Sequence, residues 1–386
     1  MSYHFLIAGA GFSGCVLANQ LIEKFDCTID IWDERGHAGG NCNTERDERT
    51  GIMVHQYGPH IFNTDKKELW DFVNRFGNFK PYVHRVKAYS NGRVYSFPIN
   101  LLTINQFFQK SFSPAEAKKF IEELGDKSIS APKNFEEQAL RFLGKDLYHA
   151  FFYGYTKKQW GCEPADLPAS VLRRIPVRFN YDDNYHANTY TGIPEDGYTS
   201  IMKNMINNPR IKLTLNKKFH TGTGSEGYDH IFFTGPLDAY FGYEFGRLGY
   251  RTVTFEKFYG EGDFQGLSQM NYCDEQIPFT RITEHKHFTP WEQHEQTVCF
   301  KEFSKETTLS DTPYYPKRLQ ADKLLLEKYR DKAASLTGIS FLGRLATYRY
   351  MDMHQVIGEA IQMAKDFSAA IQNNTHPPIF PNEENK

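Results

Sequence analysis

The 386-residue chain lacks the features typical of nucleic-acid-binding, membrane-spanning or exported proteins. Its 45 lysines and arginines nearly balance its 47 aspartates and glutamates, and the net charge of −2 gives no electrostatic reason to bind nucleic acid. No apolar run approaches the ~20 residues needed to span a bilayer. The first apolar run begins so early that it leaves no room for a signal peptide. We therefore expect a cytoplasmic protein without membrane insertion.

The six cysteines, at positions 15, 27, 42, 162, 273 and 299, have no C-x-x-C or other metal-ligand spacing. We expect reduced, mostly buried thiols and no metal site. His55 and His60 flank a Gly-Pro turn, but no third ligand stands at metal-site spacing. The chain also lacks a G-x-S-x-G elbow, a P-loop and a Ser-His-Asp order, which disfavours hydrolysis and phosphoryl transfer from ATP.

The N-terminal stretch carries a dinucleotide-binding fingerprint. An apolar run at 5–8 predicts a buried parallel strand, residues 9–14 (GAGFSG) form a G-x-G-x-x-G, and residues 15–24 predict a helix. A second apolar run at 29–32 ends at Asp33, about twenty residues after the last glycine. Three glycines alone are a weak signal, but strand, turn, helix and acid all stand in the required order. The stretch predicts a Rossmann-like nucleotide-binding lobe.

The residues of the glycine turn have distinct expected roles. Gly9 permits the tight turn, Gly11 lets the backbone approach a pyrophosphate, and Gly14 lets the helix pack closely on the strand. Phe12 and Ser13 stand where the helix starts, and its N–H groups and partial positive charge favour phosphate. We expect all five to contact the cofactor.

The residues after Asp33 favour FAD over NAD. Asp33 is expected to accept a hydrogen bond from a ribose hydroxyl, and Glu34-Arg35 and Gly39-Gly40-Asn41 follow it. A strand-end acid followed by an arginine and a Gly-Gly pair resembles the extended fingerprint of FAD-binding flavoproteins. An ordinary loop is the alternative for the two glycines. We expect Glu34, Arg35, Gly40 and Asn41 to belong to an FAD site.

The remaining patterns predict an α/β protein of three lobes. Asn91-Gly92 between strand-like runs indicates a hairpin, helical spacing prevails from 103 to about 172, and alternation from 251 to 303 predicts antiparallel strands. A strand at 339–343 and an amphipathic helix at 352–367 return to the first lobe. The predicted division is a Rossmann-like FAD-binding lobe (1–80, 200–240 and 335–386), an inserted helical lobe (100–175, with a mobile loop after 172) and an antiparallel β-sheet lobe (81–99, 180–199 and 241–334).

Two interpretations of Asp352 stay open. It caps the last predicted helix, and the start of that helix either has this role alone or also faces a flavin. A helix N-terminus carries roughly half a positive charge, which stabilises an anionic reduced flavin. Met353 follows at the same helix start, and Gly343-Arg344 follows the preceding strand, where a guanidinium can approach the ribityl or phosphate part of the cofactor.

Other segments combine aromatic and basic residues in a way that suits a nucleotide. Tyr155 and Trp160 can form a stacking slot for a planar base, with a well-packed helix end as an equal alternative. Arg173 and Arg174 suit a diphosphate, with a solvated basic loop as the alternative. A last group stands without obvious acidic partners, which suggests an anionic sugar-phosphate ligand. This group comprises Arg251, Asn271, Arg281, Tyr314, Tyr315, Tyr348, Arg349 and Tyr350.

With these residues in view, the chain resembles the bacterial UDP-galactopyranose mutases over about residues 3–367. Many long matches in one order are more specific than any single fingerprint. The matching motifs are 9–14 (GAGFSG), 39–41 (GGN), 57–62 (YGPHIF), 154–161 (GYTKKQWG), 176–185 (PVRFNYDDNY), 246–251 (GRLGYR), 281–285 (RITEH), 313–316 (PYYP) and 343–350 (GRLATYRY).

The resemblance implies interconversion of UDP-galactopyranose and UDP-galactofuranose by FAD in its reduced form, with no net redox change. It implies covalent catalysis in which flavin N5 attacks the anomeric carbon, UDP leaves, and an iminium adduct allows ring opening and reclosure. It also implies an external reductant for the flavin and a homodimer.

The resemblance assigns roles to individual residues. Arg174, on a mobile lid, and Arg281 are expected to grip the diphosphate, and His60 is expected to act beside the flavin, next to Ile61. Tyr155 is expected to stack on uracil. The expected substrate site further contains Phe151, Phe152, Thr156, Gln159, Trp160, Tyr185, Arg251, Asn271, Tyr315 and Tyr350. The expected flavin side further contains Arg344, Tyr350, Asp352 and Met353.

Two positions depart from the family pattern. Asn63 stands where histidine is common and His84 where asparagine is common, which leaves acceptance of an N-acetylated galactose open. A redox flavoenzyme of the amine oxidase type is the main alternative function, and a non-catalytic nucleotide sensor is a weaker one. Diphosphate-type arginines beside a base-stacking slot favour the mutase.

Overall fold

The computed structural model describes residues 2–169, 177–222, 224 and 226–382. Within these residues, the strands are β1 (Tyr3–Ala8), β2 (Cys27–Trp32), β3 (Thr44–Arg46), β4 (Met53–His55), β5 (Phe62–Thr64), β6 (Phe79–Pro81), β7 (Val86–Ser90), β8 (Arg93–Phe97), β9 (Tyr190–Pro194), β10 (Ile211–Thr214), β11 (His230–Phe233), β12 (Tyr250–Glu261), β13 (Gln269–Tyr272), β14 (Arg281–Glu284), β15 (Gln296–Glu306), β16 (Tyr315–Pro316) and β17 (Ile339–Phe341). The α-helices are α1 (Phe12–Lys24), α2 (Lys67–Asn74), α3 (Leu101–Phe108), α4 (Pro114–Leu124), α5 (Phe135–Tyr148), α6 (Gly154–Trp160), α7 (Gly197–Met205), α8 (Leu237–Tyr240), α9 (Gln320–Ala334), α10 (Gly343–Ala346) and α11 (Met353–Gln372). A π-helical turn at His149–Tyr153 joins α5 to α6.

A parallel sheet forms the predicted Rossmann-like lobe. Its strand order is β10-β2-β1-β11-β17, and all four neighbouring pairs are parallel. Ala8 is in register with Trp32 on one side and Phe233 on the other, so the carboxyl ends of these strands meet at one edge. α1 and α11 pack against each other, and both contribute to the apolar core that covers this sheet. The predicted α/β fold with this lobe is confirmed.

A larger sheet lies in the segments that were predicted to form the β-sheet lobe. Its strand order is β16-β12-β15-β14-β13-β7-β8, and its neighbours are antiparallel except for the parallel pair of β7 and β13. The predicted hairpin joins β7 and β8, with positive φ at Asn91 (50°) and Gly92 (76°), as a tight two-residue turn requires. Asn271 on β13 is the register partner of Arg281 on β14.

The helices α3 to α6 pack on β7 and β8 in a core of their own. α4 begins as the sequence predicts, with Ser113 accepting a hydrogen bond from the Glu116 N–H and Pro114 at the first helical position. Gly144 interrupts α5 with a non-helical φ of 74°. The expected mobile loop after 172 falls on residues 170–176, which lie outside the described ranges.

The features that were not predicted include a long helix and a small sheet. α9 lies in the segment assigned to the β-sheet lobe, where Tyr329 and Ala333 pack with Leu237 and Phe341 beside the parallel sheet. Most other α9 side chains are polar, so its helical period is weak in the sequence. A small antiparallel sheet, β5-β9-β6, also joins residues 62–64 and 79–81 to 190–194. Among the described residues, no helix is both long and apolar enough to cross a bilayer.

Candidate functional site

A cavity of about 1110 Å³ begins at the carboxyl edge of the parallel sheet and extends to the larger sheet. Typical pockets for one small ligand measure ~300–1000 Å³, so this cavity has room for a dinucleotide and a second ligand. Most of the sequence-predicted residues line it. They are Gly9, Gly11, Phe12, Ser13, Asp33, Glu34, Arg35, Gly40, Asn41, His60, Ile61, Tyr185, Arg281, Tyr315, Arg344, Tyr350, Asp352 and Met353.

The glycine turn leaves no space for side chains. Gly9 has φ 118°, and a Cβ on it would lie 2.0 Å from Thr234 Oγ1. A Cβ on Gly14 would lie 2.0 Å from the Gly9 carbonyl oxygen, so Gly14 packs α1 on the turn and does not line the cavity. Gly40 approaches the turn from the second glycine pair, with its Cβ position 3.1 Å from Gly11 Cα. Backbone alone therefore forms this wall, as close approach of a pyrophosphate requires.

Asp33 and Arg35 form the next part of the wall. Asp33 is buried, and its Oδ2 accepts the Ala10 N–H at 2.8 Å while its Oδ1 accepts the Arg35 N–H at 2.9 Å. Each carboxylate oxygen can accept a second hydrogen bond, so capacity remains for a ribose hydroxyl. The Arg35 guanidinium donates to Asn41 Oδ1 at 3.0 Å.

The opposite wall carries the start of α11 and a stack of aromatic rings. Asp352 caps α11 in a capping box with Gln355, which confirms the capping role. The rings of Tyr315 and Tyr350 stack at 5.8 Å, and the Arg344 guanidinium lies over both, at 5.5 and 5.4 Å. Positive charge and a helix N-terminus thus meet on one side of the cavity.

Arg281 places another guanidinium at the cavity, in addition to those of Arg35 and Arg344. Its Nε lies 2.7 Å and its Nη2 2.6 Å from Oε2 of the buried Glu302. Burial lowers the pKa of Arg281, but the charge and hydrogen bond of Glu302, together with the nearby Tyr155 and Tyr315, outweigh that effect and leave the pKa raised. These two contacts leave Nη1 outside the ion pair. The arrangement fixes a permanent positive charge that can bind a diphosphate.

His60 is a neutral hydrogen-bond acceptor in this cavity. Its Nδ1 lies 2.8 Å from the Gly58 carbonyl oxygen, which can only accept, so Nδ1 carries the proton and Nε2 has the lone pair. Burial, together with the charges of Arg344 and Arg281, lowers the pKa of His60 to about 4. The His60 N–H in turn donates to His55 Nδ1 at 3.2 Å, which orients the loop.

The predicted base slot lies beside Arg281. Tyr155 is close enough to Arg281 and Tyr315 to interact electrostatically, and burial raises its pKa. Thr156 is buried, and Gln159 Oε1 is buried without a hydrogen-bond partner among the described residues. Trp160 is half-buried at the end of α6. A buried amide oxygen without a partner suits a ligand that donates a hydrogen bond.

Eight of the predicted substrate residues do not line the cavity. They are the four of the base slot, Tyr155, Thr156, Gln159 and Trp160, together with Phe151, Phe152, Arg251 and Asn271. Phe151 and Phe152 are 2% and 3% exposed in the core of the helical lobe, where Phe151 meets Tyr95 edge-on at 5.2 Å. Asn271 is buried and accepts a hydrogen bond from Gln269 at 2.9 Å. Arg251 donates to the carbonyl oxygens of Gln159 at 3.0 Å and Lys158 at 3.2 Å, so it caps α6. The remaining residue, Arg174, lies outside the described ranges.

The expectation that the arginines of this group lack acidic partners is wrong for all three, since Arg349 also pairs with Glu359 on α11. Arg251 pairs with Glu306 at 3.0 Å and Arg281 with Glu302, and both pairs are cross-strand partners of β15. Glu306 and Glu302 stand far from these two arginines in sequence, so only the strand register brings them together.

Sequence reasoning missed most of the wall facing the second ligand. His84, His186 and Gln269 line the cavity, and the His84 and His186 rings lie parallel at 6.0 Å. The chain segments meet because the Tyr185 N–H donates to the His84 carbonyl oxygen at 2.8 Å. His84 Nδ1 is buried and has no partner among the described residues. The departure at His84 from the family pattern is the signal that points to this wall.

Comparisons with known proteins identify the family of the chain. A family model described as UDP-galactopyranose mutase matches residues 150–350, and one for an NAD(P)-binding Rossmann-like domain matches residues 7–76. The chain is 53% identical to a dTDP-fucopyranose mutase of Escherichia coli, over 96% of this chain and 98% of that protein. It is also 53% identical to a probable UDP-galactopyranose mutase of Klebsiella pneumoniae, over 97% of each chain.

Among solved structures, a crystal structure of reduced UDP-galactopyranose mutase superposes with a TM-score of 0.74. It covers 97% of this chain and 99% of that chain at 17% identity, so it supports the fold alone. The sequence matches extend over nearly the full length, and they include the helix α6 and the strands that carry Arg281 and Glu302. The chain therefore belongs to the UDP-galactopyranose mutase family.

Proposed function

We propose that this protein is a flavin-dependent isomerase that interconverts UDP-galactopyranose and UDP-galactofuranose with no net redox change. One observation carries the proposal: Arg281, held by Glu302, lines the same cavity as the dinucleotide turn at 9–14. A diphosphate bound by Arg281 can therefore lie beside a flavin bound by the turn.

The residues present fit FAD. The side-chain-free wall of Gly9, Gly11 and Gly40 suits the pyrophosphate, and Asp33 retains hydrogen-bonding capacity for the ribose. The α11 N-terminus and Arg344 provide positive potential on the other side, which favours a reduced, anionic flavin. When bound, the reduced flavin supplies the nucleophile that replaces UDP at the anomeric carbon.

The chain's own contribution is to hold UDP and to stabilise its charge. Arg281 binds the diphosphate as negative charge develops on it, since its guanidinium is already oriented and needs no rearrangement. We assign a second diphosphate contact to Arg174 on the resemblance. Tyr155, Gln159 and Trp160 bind the uracil, and Tyr185, Tyr315 and Tyr350 complete the wall. His60 offers the Nε2 lone pair to a hydroxyl of the sugar or to the flavin.

The test is anaerobic incubation of UDP-galactofuranose with the oxidised and the dithionite-reduced protein, followed by chromatography. Conversion to UDP-galactopyranose in the reduced sample alone supports both the reaction and the flavin state. Conversion in neither sample, with flavin bound, would contradict the proposal and favour an oxidase of related fold. The same assay with UDP-N-acetylgalactosamine tests the alternative that the sequence leaves open.

A second candidate is the mutase reaction on dTDP-fucopyranose. It is favoured by the identity of 53% to the Escherichia coli protein with that name, equal to the identity with the Klebsiella pneumoniae protein. The two substrates differ in the base, the ribose and the sugar C6, so parallel assays with both nucleotide sugars decide between them. We further propose an external reductant for the flavin and a homodimer, both on the resemblance, and a cytoplasmic location.

A further inference from the structure

Lys158 stands on α6 between Tyr155 and Trp160, and main-chain carbonyl oxygens surround its ammonium group. All of these carbonyls belong to the segment from the end of β13 to the start of β14, hereafter the 272–279 turn. The Nζ distances are 2.8 Å to Tyr272 O, 2.9 Å to Asp274 O, 2.9 Å to Ile277 O and 3.0 Å to Phe279 O. One side chain thus contacts four main-chain acceptors of the turn, and because an ammonium group has three N–H donors, at least one N–H is shared between two of them.

The 272–279 turn connects Asn271 to the segment that carries Arg281. Asn271 directly precedes it on β13, and Arg281 follows it on β14, where the two residues are register partners. The position of the turn against α6 therefore determines how far Arg281 lies from the base slot formed by Tyr155 and Trp160.

Other contacts also fix α6, at its start, at Lys157 and at its end. At the start of the helix, a Cβ on Gly154 would lie 2.4 Å from the Cys273 carbonyl oxygen, so helix and turn meet backbone to backbone. At its end, Arg251 and Ser304 donate to the Gln159 carbonyl oxygen, which ties α6 to β12 and β15 and not to the turn.

Lys158 keeps its charge in this position at neutral pH. Burial lowers its pKa to about 8, while the nearby charges of Asp274 and Glu275 oppose that effect. At pH 7 the ammonium form therefore predominates, and it can donate along all of its N–H directions. A charged donor makes stronger hydrogen bonds to these carbonyls than a neutral one would.

We propose that Lys158 is a positioning residue whose ammonium group holds the 272–279 turn against α6 and so sets the spacing between the base slot and Arg281. The proposal rests on the proposed function, because it takes α6 as the helix that binds the nucleotide base.

The experiment compares Lys158→Ala and Lys158→Met with the unaltered holoenzyme. Both variants should bind UDP ~10-fold more weakly and lose a similar factor in kcat/KM, with unchanged flavin content, because several charge-assisted hydrogen bonds are removed. In Lys158→Ala the vacated space can admit a small cation, so methylammonium chloride should restore several-fold of the UDP affinity. Choline chloride at equal ionic strength should not, since its cation is too large, and Lys158→Met should not respond because its side chain fills the space.

Lys157→Ala is the matched control. Lys157 contacts the same turn only through the Glu275 side chain, at 2.9 Å, and its own side chain is 34% exposed. An exposed ion pair contributes little, so UDP affinity should stay within about twofold of the unaltered protein.

Several results would overturn the proposal. If both Lys158 variants bound UDP as tightly as the unaltered protein, the Lys158 contact would have no role in positioning the turn. Equal rescue by choline would reduce the effect to ionic strength, and loss of flavin or of helical circular dichroism in both variants would show a global role. Failure of the unaltered protein to bind UDP would contradict the proposed function itself, and the role of Lys158 would fall with it.

Discussion

Arg281 and Glu302 stand directly opposite each other on β14 and β15, and Arg281 Nε lies 2.7 Å from Glu302 Oε2. The Glu302 side chain is 1% exposed and Arg281 is 17% exposed, so the guanidinium lies at the cavity wall and its partner lies behind it. A buried ion pair of this kind costs desolvation, and each partner depends on the other. The ion pair holds the guanidinium in one orientation before any ligand binds.

Glu302→Gln should lower both stability and turnover. Removing one charge of a buried pair leaves the other without compensation, so we expect the free energy of unfolding to fall by about 3 kcal/mol. Urea denaturation of the holoprotein measures this change. Glu306→Gln is the control, because Glu306 pairs with Arg251 but is 57% exposed, and its loss should cost below ~1 kcal/mol. Equal losses in the two variants would contradict a special role for the buried pair.

Arg281→Ala should nearly abolish turnover, by ~1000-fold or more, because the diphosphate loses an oriented charge as it leaves the sugar. Flavin absorbance should stay normal, since the proposed pyrophosphate and ribose contacts are at Gly9, Gly11 and Asp33 and not at Arg281. Arg281→Lys should recover only part of the rate, because a lysine cannot reproduce the Nε and Nη2 contacts with Glu302. Turnover like that of the unaltered protein in Arg281→Ala would remove this residue from the site.

The dinucleotide lobe could be predicted because its signals are local. The strand, the glycine turn, the helix and Asp33 follow one another within one βαβ unit, and the β7–β8 hairpin depends on two adjacent turn residues. The same holds for the capped start of α4, where Ser113 and Glu116 stand three residues apart.

The features that escaped prediction depend on contacts between distant segments. Glu302 meets Arg281 only through the register of β14 and β15, and His84 meets His186 only because the segment at 184–186 returns to residues 84–85. Arg251 was predicted in the substrate group from its residue type, yet it caps α6, a role that is visible only once β12 lies beside that helix. α9 escaped because few of its side chains are buried.

The buried histidines should make the protein lose stability in mild acid. Burial lowers the pKa of His60 to about 4 and that of His84 and His285 to about 3, from an ordinary value near 6.5. Between pH 6.5 and these pKa values, the unfolded chain therefore binds more protons than the folded protein. The free energy of unfolding has its full value above pH 6.5 and falls as the pH decreases towards 4.

Urea denaturation at several pH values between 7.5 and 4.5 measures this slope. His84→Asn should make it shallower, because one buried imidazole is removed, and the exposed His149→Ala should leave it unchanged. A stability that is constant from pH 6.5 to 4.5 would contradict the prediction.

Gly14→Ala should yield protein that retains little flavin. The added methyl group would lie 2.0 Å from the Gly9 carbonyl oxygen, so either α1 or the glycine turn must move away from the pyrophosphate position. Flavin absorbance per protein after purification measures the effect. Gly36→Ala is the control, because its added carbon would meet only the Asn216 side chain, at 3.4 Å from Oδ1 and 3.8 Å from Nδ2. Full flavin content in Gly14→Ala would show that the turn does not hold the cofactor.

His84 should determine how the hexose is bound. Its ring lines the cavity together with His186, and the buried Nδ1 atom has no partner among the described residues, so a sugar hydroxyl can complete its hydrogen bonding. His84→Leu removes that partner, and kcat/KM for the nucleotide sugar should fall ~10-fold while the inhibition constant of UDP, which has no hexose, stays the same. His84→Asn keeps a polar atom at the Nδ1 position and should retain activity within about threefold.

The exposed neighbour Val83→Ala controls for a change in the local chain, since Val83 is 46% exposed and should behave like the unaltered protein. A loss of UDP affinity that matches the loss of kcat/KM in His84→Leu would place His84 at the nucleotide and not at the sugar. Because His84 lines the cavity, the ratio of activities on 6-hydroxy and 6-deoxy hexoses should also differ between the unaltered protein and His84→Asn. That ratio, measured with UDP-galactofuranose and its 6-deoxy analogue, tests the sugar wall independently of the base.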